Sequence, residues 1–170
     1  MIYFAYGSNI NIEHLQSYLA QAGVDAGDIT DVQHAILPRY RLRTNYFSRS
    51  HCAGACNIEP TKSGSVEGVT MQITKSVREA LRAKEGFPTC YDEVEILAHG
   101  ASGDVAAFTY LVVAQRRFLI DLPVTPKYRQ LILDGAQANR LSQSYQRLLR
   151  RNLKRVKAPA RSLARWAVGL

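Results

Sequence analysis

The sequence predicts an α+β domain with a mostly antiparallel, barrel-like sheet. Two observations carry this. Strand-like apolar runs and helical stripes follow in the order strand, helix, strands, helix, strands, helix pair, and not in strict alternation. The 170 residues are 46% hydrophobic and 21% charged, which suits one domain with a core and is too apolar for a disordered chain.

Residues 2–6 form a short apolar and aromatic run that reads as a buried strand. Gly7-Ser8-Asn9 breaks it. Ile12, Leu15, Tyr18, Leu19 and Ala22 then recur at helical spacing, with Asn9 or Asn11 as N-cap and Gly23 as the stop. Residues 40–47 partly alternate and predict a strand. Residues 53–58 and 66–73 predict two more, flanking a turn-rich stretch at 60–64 that reads as a hairpin loop. Ser76 and Glu79 have capping-box spacing, and Val77, Ala80 and Leu81 supply the apolar stripe of a short helix running into Lys84-Glu85-Gly86-Phe87-Pro88. Strands at 91–98 and 105–113 follow, joined by a turn at 99–104. Thr125-Pro126 is an N-cap with proline at the first helical position, ahead of Tyr128, Leu131, Ile132 and Gly135 on one face. Ser142 caps a last helical stripe, carried by Leu141, Tyr145, Leu148 and Leu149.

The net charge of +8 is local. Eight basic residues lie between Arg147 and Arg165, and no acid follows Asp134. Taking those eight from 22 leaves 14 Lys and Arg against 14 Asp and Glu, so residues 1–146 are formally neutral. The basic balance therefore describes a tail, and a nucleic-acid-binding fold is not expected. The domain is placed at 1–150 and the tail at 151–170. In the tail, Leu163, Trp166, Ala167 and Leu170 share a helical stripe, compatible with an anionic membrane surface, the chain's own domain or a second subunit. A homodimer is compatible with the sequence, and the tail's partner stays open. No apolar run approaches the ~20 residues of a membrane span. Residues 1–6 lack the basic segment of a secretory signal, and three cysteines fit a reducing cytoplasm.

Two segments could carry chemistry. The strand–Gly-Ser-Asn–helix junction would present free N–H groups and a partial positive charge, suited to a carboxylate or a phosphate. No Gly-Lys-Ser/Thr follows, so it is not a nucleotide-binding loop of that type. Glu85 stands at a helix end beside Gly86, Phe87 and Pro88. A carboxylate in a tight, partly apolar turn can have its pKa raised by desolvation and then serve as a base. The plain alternative is a surface glutamate, although that position is mildly unfavourable against the helix dipole. Cys52 and Cys56 lie four apart near His51, but the paired spacing of a zinc site is missing, and small buried core residues are expected. Nothing in the spacing supports a Ser/His/Asp arrangement.

With these residues in hand, the chain resembles the γ-glutamylcyclotransferase family. Tyr3-Phe4-Ala5-Tyr6-Gly7-Ser8-Asn9 is similar to its N-terminal signature, and Lys84-Glu85-Gly86-Phe87 followed by Tyr91 to the segment with its catalytic glutamate. Residues 54–60 and Val66-Glu67-Gly68-Val69 resemble its middle strands. Thr125-Pro126-Lys127-Tyr128, Gly135-Ala136, Leu141 and Tyr145 resemble its closing helices. The pieces fall in order from about 2 to 149. Asn9, where related groups often carry Leu, favours this branch; the basic tail is not part of the pattern.

The resemblance implies a small mixed barrel with flanking helices, no metal and no cofactor. It implies a small-molecule γ-glutamyl substrate whose own α-amine displaces the γ-linked amine, releasing 5-oxoproline. Intramolecular five-membered closure needs no protein nucleophile. Glu85 would act as general acid/base, the N–H groups of Gly7, Ser8 and Asn9 would hold the α-carboxylate, and Tyr6 would line the pocket. Tyr110 falls at a substrate-side tyrosine, and either its hydroxyl or the loop would steady the oxyanion. Two other readings are a cyclotransferase for a γ-glutamyl amine or natural product, and a non-catalytic binding module on the same scaffold.

Overall fold

Ile2–Ala5 (β1) closes the barrel, with both its edges used. It pairs antiparallel with Ala53–Ile73 (β3), where Phe4 faces Thr70, and parallel with Gly103–Val112 (β5), where Tyr3 faces Phe108. Ile29–Ser48 (β2) pairs antiparallel along β3 and meets Tyr91–Gly100 (β4) at Ala35 opposite Gly100. A β4/β5 hairpin completes the ring β1-β3-β2-β4-β5. The parallel β1/β5 contact makes the sheet mixed, and ring closure leaves no open edge at β1. The computed structural model describes residues 1–153; Leu163, Trp166, Ala167 and Leu170 lie outside the described residues.

β1 comes so close to β3 that a Cβ at Gly68 would sit 2.2 Å from the Ala5 carbonyl oxygen. The residue there must lack a side chain. Phe4, Ala5, Val69, Met71, Ile58 and Val112 fill the barrel, all fully or almost fully buried. No helix among the described residues is long and apolar enough to cross a membrane.

The middle of the chain departs from its expected pattern. Residues 60–64 do not reverse the chain. β3 is one strand of 21 residues, and Ser65 and Pro60 pair with Pro38 and Tyr40 of the same partner, β2. The extra residues form a bulge, with Gly64 at φ +103° and Arg39 opposite at φ +60°. The reversal lies at 49–52, where Cys52 adopts φ +47° and donates its N–H to the Arg49 carbonyl at 3.3 Å. Cys52 is exposed in that turn, against expectation, whereas Cys56 is buried on β3.

The helices follow their caps. Asn11, not Asn9, caps Ile12–Gln21 (α1), accepting from the His14 N–H at 3.0 Å. Thr74, not Ser76, caps Lys75–Glu85 (α2), accepting from Val77 N–H, and Gly86 ends it in the left-handed region at φ +66°. Thr125 caps Pro126–Ala138 (α3) with proline at the first position, and Ser142 caps Gln143–Asn152 (α4). Leu153 beyond α4 is still buried. The buried Glu67 carboxylate of β3 accepts from the Ser142 N–H at 2.8 Å and its hydroxyl at 2.5 Å, and His34 meets it at 3.0 Å. An acid at a helix start suits the dipole and ties α4 to the barrel.

Two attachments set the site. α3 seats on the segment after β1: Asn139 Nδ2 donates to the Ile10 carbonyl at 2.7 Å, and Asn11 Nδ2 donates to the Leu131 carbonyl at 3.3 Å. Gly135 makes that approach possible. α2 is held by Arg78 and Arg82, which both bond the Glu93 carboxylate on β4. Burial alone would raise the Glu93 carboxyl, but the hydrogen bonds from Arg78, Arg82 and Tyr110 outweigh it and bring it down to about 2.

Two expectations follow from these attachments. In Gly135→Ala the added Cβ would lie 2.6 Å from the Asn11 nitrogen and 2.7 Å from the Ile10 carbonyl carbon. Such overpacking should cost ~1–3 kcal/mol, read as a lower urea midpoint. Glu93 has its carboxyl lowered from 4.5, so its contribution is complete above that value and is lost as pH falls towards about 2. The urea-midpoint gap between wild type and Glu93→Gln should therefore hold steady near neutrality and shrink at about pH 3.

Candidate active site

The segment after β1 makes one tight 3-10 turn before α1 begins. Ile10 and Asn11 N–H groups donate to the Gly7 and Ser8 carbonyls, both at 3.1 Å. The N–H groups of Ser8 and Asn9 precede these and have no acceptor within the turn. Gly7 lies against β3 and α3, since a Cβ there would be 3.3 Å from the Cys56 Cβ and 3.5 Å from the Tyr128 hydroxyl.

Asn9 is released from capping because Asn11 takes that task, and its side chain is buried at 4% exposure. Its Nδ2 donates to the Tyr3 hydroxyl and to Glu85 Oε1, each at 2.9 Å. A carboxylate accepts only, so the amide nitrogen must face Glu85. That leaves Asn9 Oδ1 buried without a partner among the described residues. Glu85, half-buried, is the last residue of α2, brought to the loop by the Arg78, Arg82 and Glu93 network described above.

Around this pair lies a small cavity of about 30 Å3, open to solvent. Besides the loop and Glu85 it is lined by Cys56 and five tyrosines: Tyr3, Tyr6, Tyr91, Tyr110 and Tyr128. Tyr6, Gly7, Ser8, Asn9, Glu85 and Tyr110, all expected at a site, thus share one cavity. Tyr3, Tyr91, Tyr128 and Cys56 were not expected there. Their signal in the sequence is membership of the resembling segments: Tyr3 in residues 3–9, Cys56 in 54–60, Tyr91 after the Glu85 segment and Tyr128 in 125–128.

The tyrosines are hydrogen-bonding phenols, not bases. Burial, and then the Glu85 charge, pushes Tyr3 and Tyr6 well above the ordinary value of 10. Burial is likewise the largest cause at Tyr91, Tyr110 and Tyr128. Burial pushes the Cys56 thiol up to about 12, so it is not an activated nucleophile near neutrality. Three phenolic protons are committed: Tyr6 donates to the Tyr110 carbonyl at 2.5 Å, Tyr91 to the Cys56 carbonyl at 3.0 Å, and Tyr110 to Glu93 at 3.1 Å. Tyr110 thus lines the cavity with its ring while its hydroxyl is held by Glu93, which removes it as a free oxyanion donor. Tyr3 receives from Asn9, and its own proton has no acceptor among the described residues. Among the lining residues, Glu85 is the one carboxylate.

The family model described as AIG2-like matches residues 65–149, half the chain, from the middle of β3 into α4. The γ-glutamylcyclotransferase of Mus musculus is 27% identical over 151 residues, covering 88% of this chain and 77% of its own. A solved γ-glutamyl cyclotransferase superposes with a TM-score of 0.81 at 22% identity, over 94% of this chain and 91% of its own. A human protein described as uncharacterised gives 0.76 at 23%, over 93% and 90%. A yeast γ-glutamyl cyclotransferase described as specific to glutathione gives 0.62 at 14%, over 93% and 98%. The chain belongs to the AIG2-like family and has the fold of these cyclotransferases.

Proposed function

We propose that this chain is a cofactor-independent γ-glutamylcyclotransferase with Glu85 as its general acid/base. One observation carries the reading. A single carboxylate, Glu85, is held 2.9 Å from the Asn9 side-chain amide in a cavity lined by Gly7, Ser8 and Asn9 and by phenols too weakly acidic to ionise. The names of the mouse and solved relatives point the same way.

The reaction needs a γ-glutamyl amide folded back on itself. The N–H groups at Gly7, Ser8 and Asn9 would bind its α-carboxylate, the kind of anion such amides favour. Asn9 Oδ1, buried without a partner among the described residues, would accept from the neighbouring α-ammonium. Glu85 takes one proton from that ammonium. The freed amine attacks the γ-carbonyl carbon, a C–N bond forms, and the carbonyl oxygen becomes an oxyanion. Tyr3, whose proton has no acceptor among the described residues, would donate to that oxygen. The intermediate collapses as Glu85 returns the proton to the departing nitrogen and the old C–N bond breaks; the ring nitrogen gives up its second proton through Glu85 to the released amine, which leaves as an ammonium. The products are 5-oxoproline and an amine, and no water is consumed. Tethering of nucleophile to electrophile provides the large effective concentration of a ring closure, so the protein supplies proton transfer and conformation.

Release of 5-oxoproline from γ-glutamyl-alanine should fall at least ~100-fold in Glu85→Gln, the usual worth of a general base, with thermal stability retained. Wild-type turnover in that variant would refute the assignment. Asn9→Ala keeps the carboxylate but frees it, and kcat should drop ~10-fold or more with a smaller change in KM. An unchanged kcat would show that Glu85 needs no tether.

A further inference from the structure

Glu85, Ser8, Tyr91 and Tyr128 line not only the inner cavity but also a much wider groove running outward from it. The glutamyl half of a substrate would occupy the inner cavity, so the groove is where the departing amine lies; this rests on the reading above. The groove is built from the 49–52 turn, the end of α2 and the segment after β5. Its cations are Arg49, Lys84, Arg116 and Arg117, and its one carboxylate is Glu85.

These cations differ from the other arginines around the barrel. Arg41, Arg43, Arg78 and Arg82 each pair with a carboxylate of this chain: Glu59, Asp121, Glu79 or Glu93. Arg116 and Arg117 do not. Arg116 Nε donates to the Thr89 carbonyl at 2.8 Å, and Arg117 Nε to the Val112 carbonyl at 2.7 Å. Each guanidinium is thus tethered at Nε by neutral backbone, and its two terminal nitrogens have no acceptor among the described residues. Tethered guanidinium forks are well suited to carboxylates. The groove's positive field also acts on its histidines: His51 is lowered first by burial and then by Lys84, and His14 likewise. Tyr46 and the half-exposed Phe118 add an apolar wall.

We propose that Arg116 and Arg117 form a leaving-group subsite that selects γ-glutamyl compounds whose departing amine carries a carboxylate over those that release a neutral amine. The side chain of that amine would rest on Tyr46 and Phe118. Such a preference places the protein after a reaction class that joins glutamate through its γ-carboxyl to an amino acid or peptide.

The test measures 5-oxoproline release from γ-glutamyl-alanine and from γ-glutamyl-alaninamide, which differ only in the terminal charge. Wild type should favour the acid by ~10-fold or more in kcat/KM, mostly through KM, as expected for a charge-assisted contact. Raising the salt concentration should narrow that gap. In Arg116→Gln/Arg117→Gln the acid-to-amide ratio should fall towards ~1 while the amide is still turned over, which also reports a folded protein. If the double variant turns over neither compound, Arg116→Gln alone decides, because Arg116 is exposed and its ratio should fall at least ~3-fold. Equal rates in wild type, or an unchanged ratio in the variants, would overturn the subsite and leave the cyclotransferase reading standing. No 5-oxoproline from either compound with wild type would overturn both.

Discussion

The hydrogen bond from the Asn9 amide to the Glu85 carboxylate joins two segments 76 residues apart, and the site depends on it. At one end the loop is fixed by β1, which is paired on both edges, and by α3, which seats on Ile10 and Asn11 through Gly135 and Asn139. At the other end, α2 is fixed by Arg78 and Arg82 on Glu93 and is stopped by Gly86. A carboxylate at a helix C-terminus meets an unfavourable dipole. The donated amide proton offsets that cost and gives Glu85 one orientation. Barrel closure, helix docking and helix termination thus converge on two side chains.

The surroundings of that pair divide the chemistry. Inside, the buried phenols are hydrogen-bonding groups that burial holds far from ionisation. Most of their protons are also engaged with backbone or with Glu93, which keeps the rings in place. Outside, beyond Glu85, the walls turn cationic. A molecule spanning both regions meets an uncharged, hydrogen-bonding chamber at one end and guanidinium groups at the other. The Glu93 cluster links the two levels: it neutralises the arginines of α2 and holds the Tyr110 hydroxyl, while Arg116 and Arg117 on the groove side meet no carboxylate among the described residues.

Several elements were legible in the residues because their causes are local. Asn11, Thr125 and Ser142 cap helices by side-chain bonds made within three residues, and the stripes of α3 and α4 bury most of the residues their spacing marks, Leu131 and Leu148 being only partly covered. The strand–Gly-Ser-Asn junction and Glu85 were legible as single features. The bulge at 60–64 was not. Proline, serine and glycine at a turn and at a bulge look alike, and β2 happens to be long enough to pair with both halves of β3. Thr74 displaced Ser76 as the cap of α2 for a similar reason, since both hydroxyls lie near the helix start.

By itself the sequence determined the helices, most of the strands, the neutral charge of residues 1–146 and the presence of a glutamate at a helix end. Each follows from side-chain periodicity, capping chemistry or a count, which act over a few residues or need no geometry. Only the tertiary structure decided that Asn9 meets Glu85, that Tyr3, Tyr91 and Tyr128 surround them, that the Tyr110 hydroxyl is spent on Glu93, and that Arg116 and Arg117 meet backbone carbonyls and no carboxylate among the described residues. Those facts depend on barrel closure and on which partner reaches a group first, and residues far apart in the chain carry no mark of that competition.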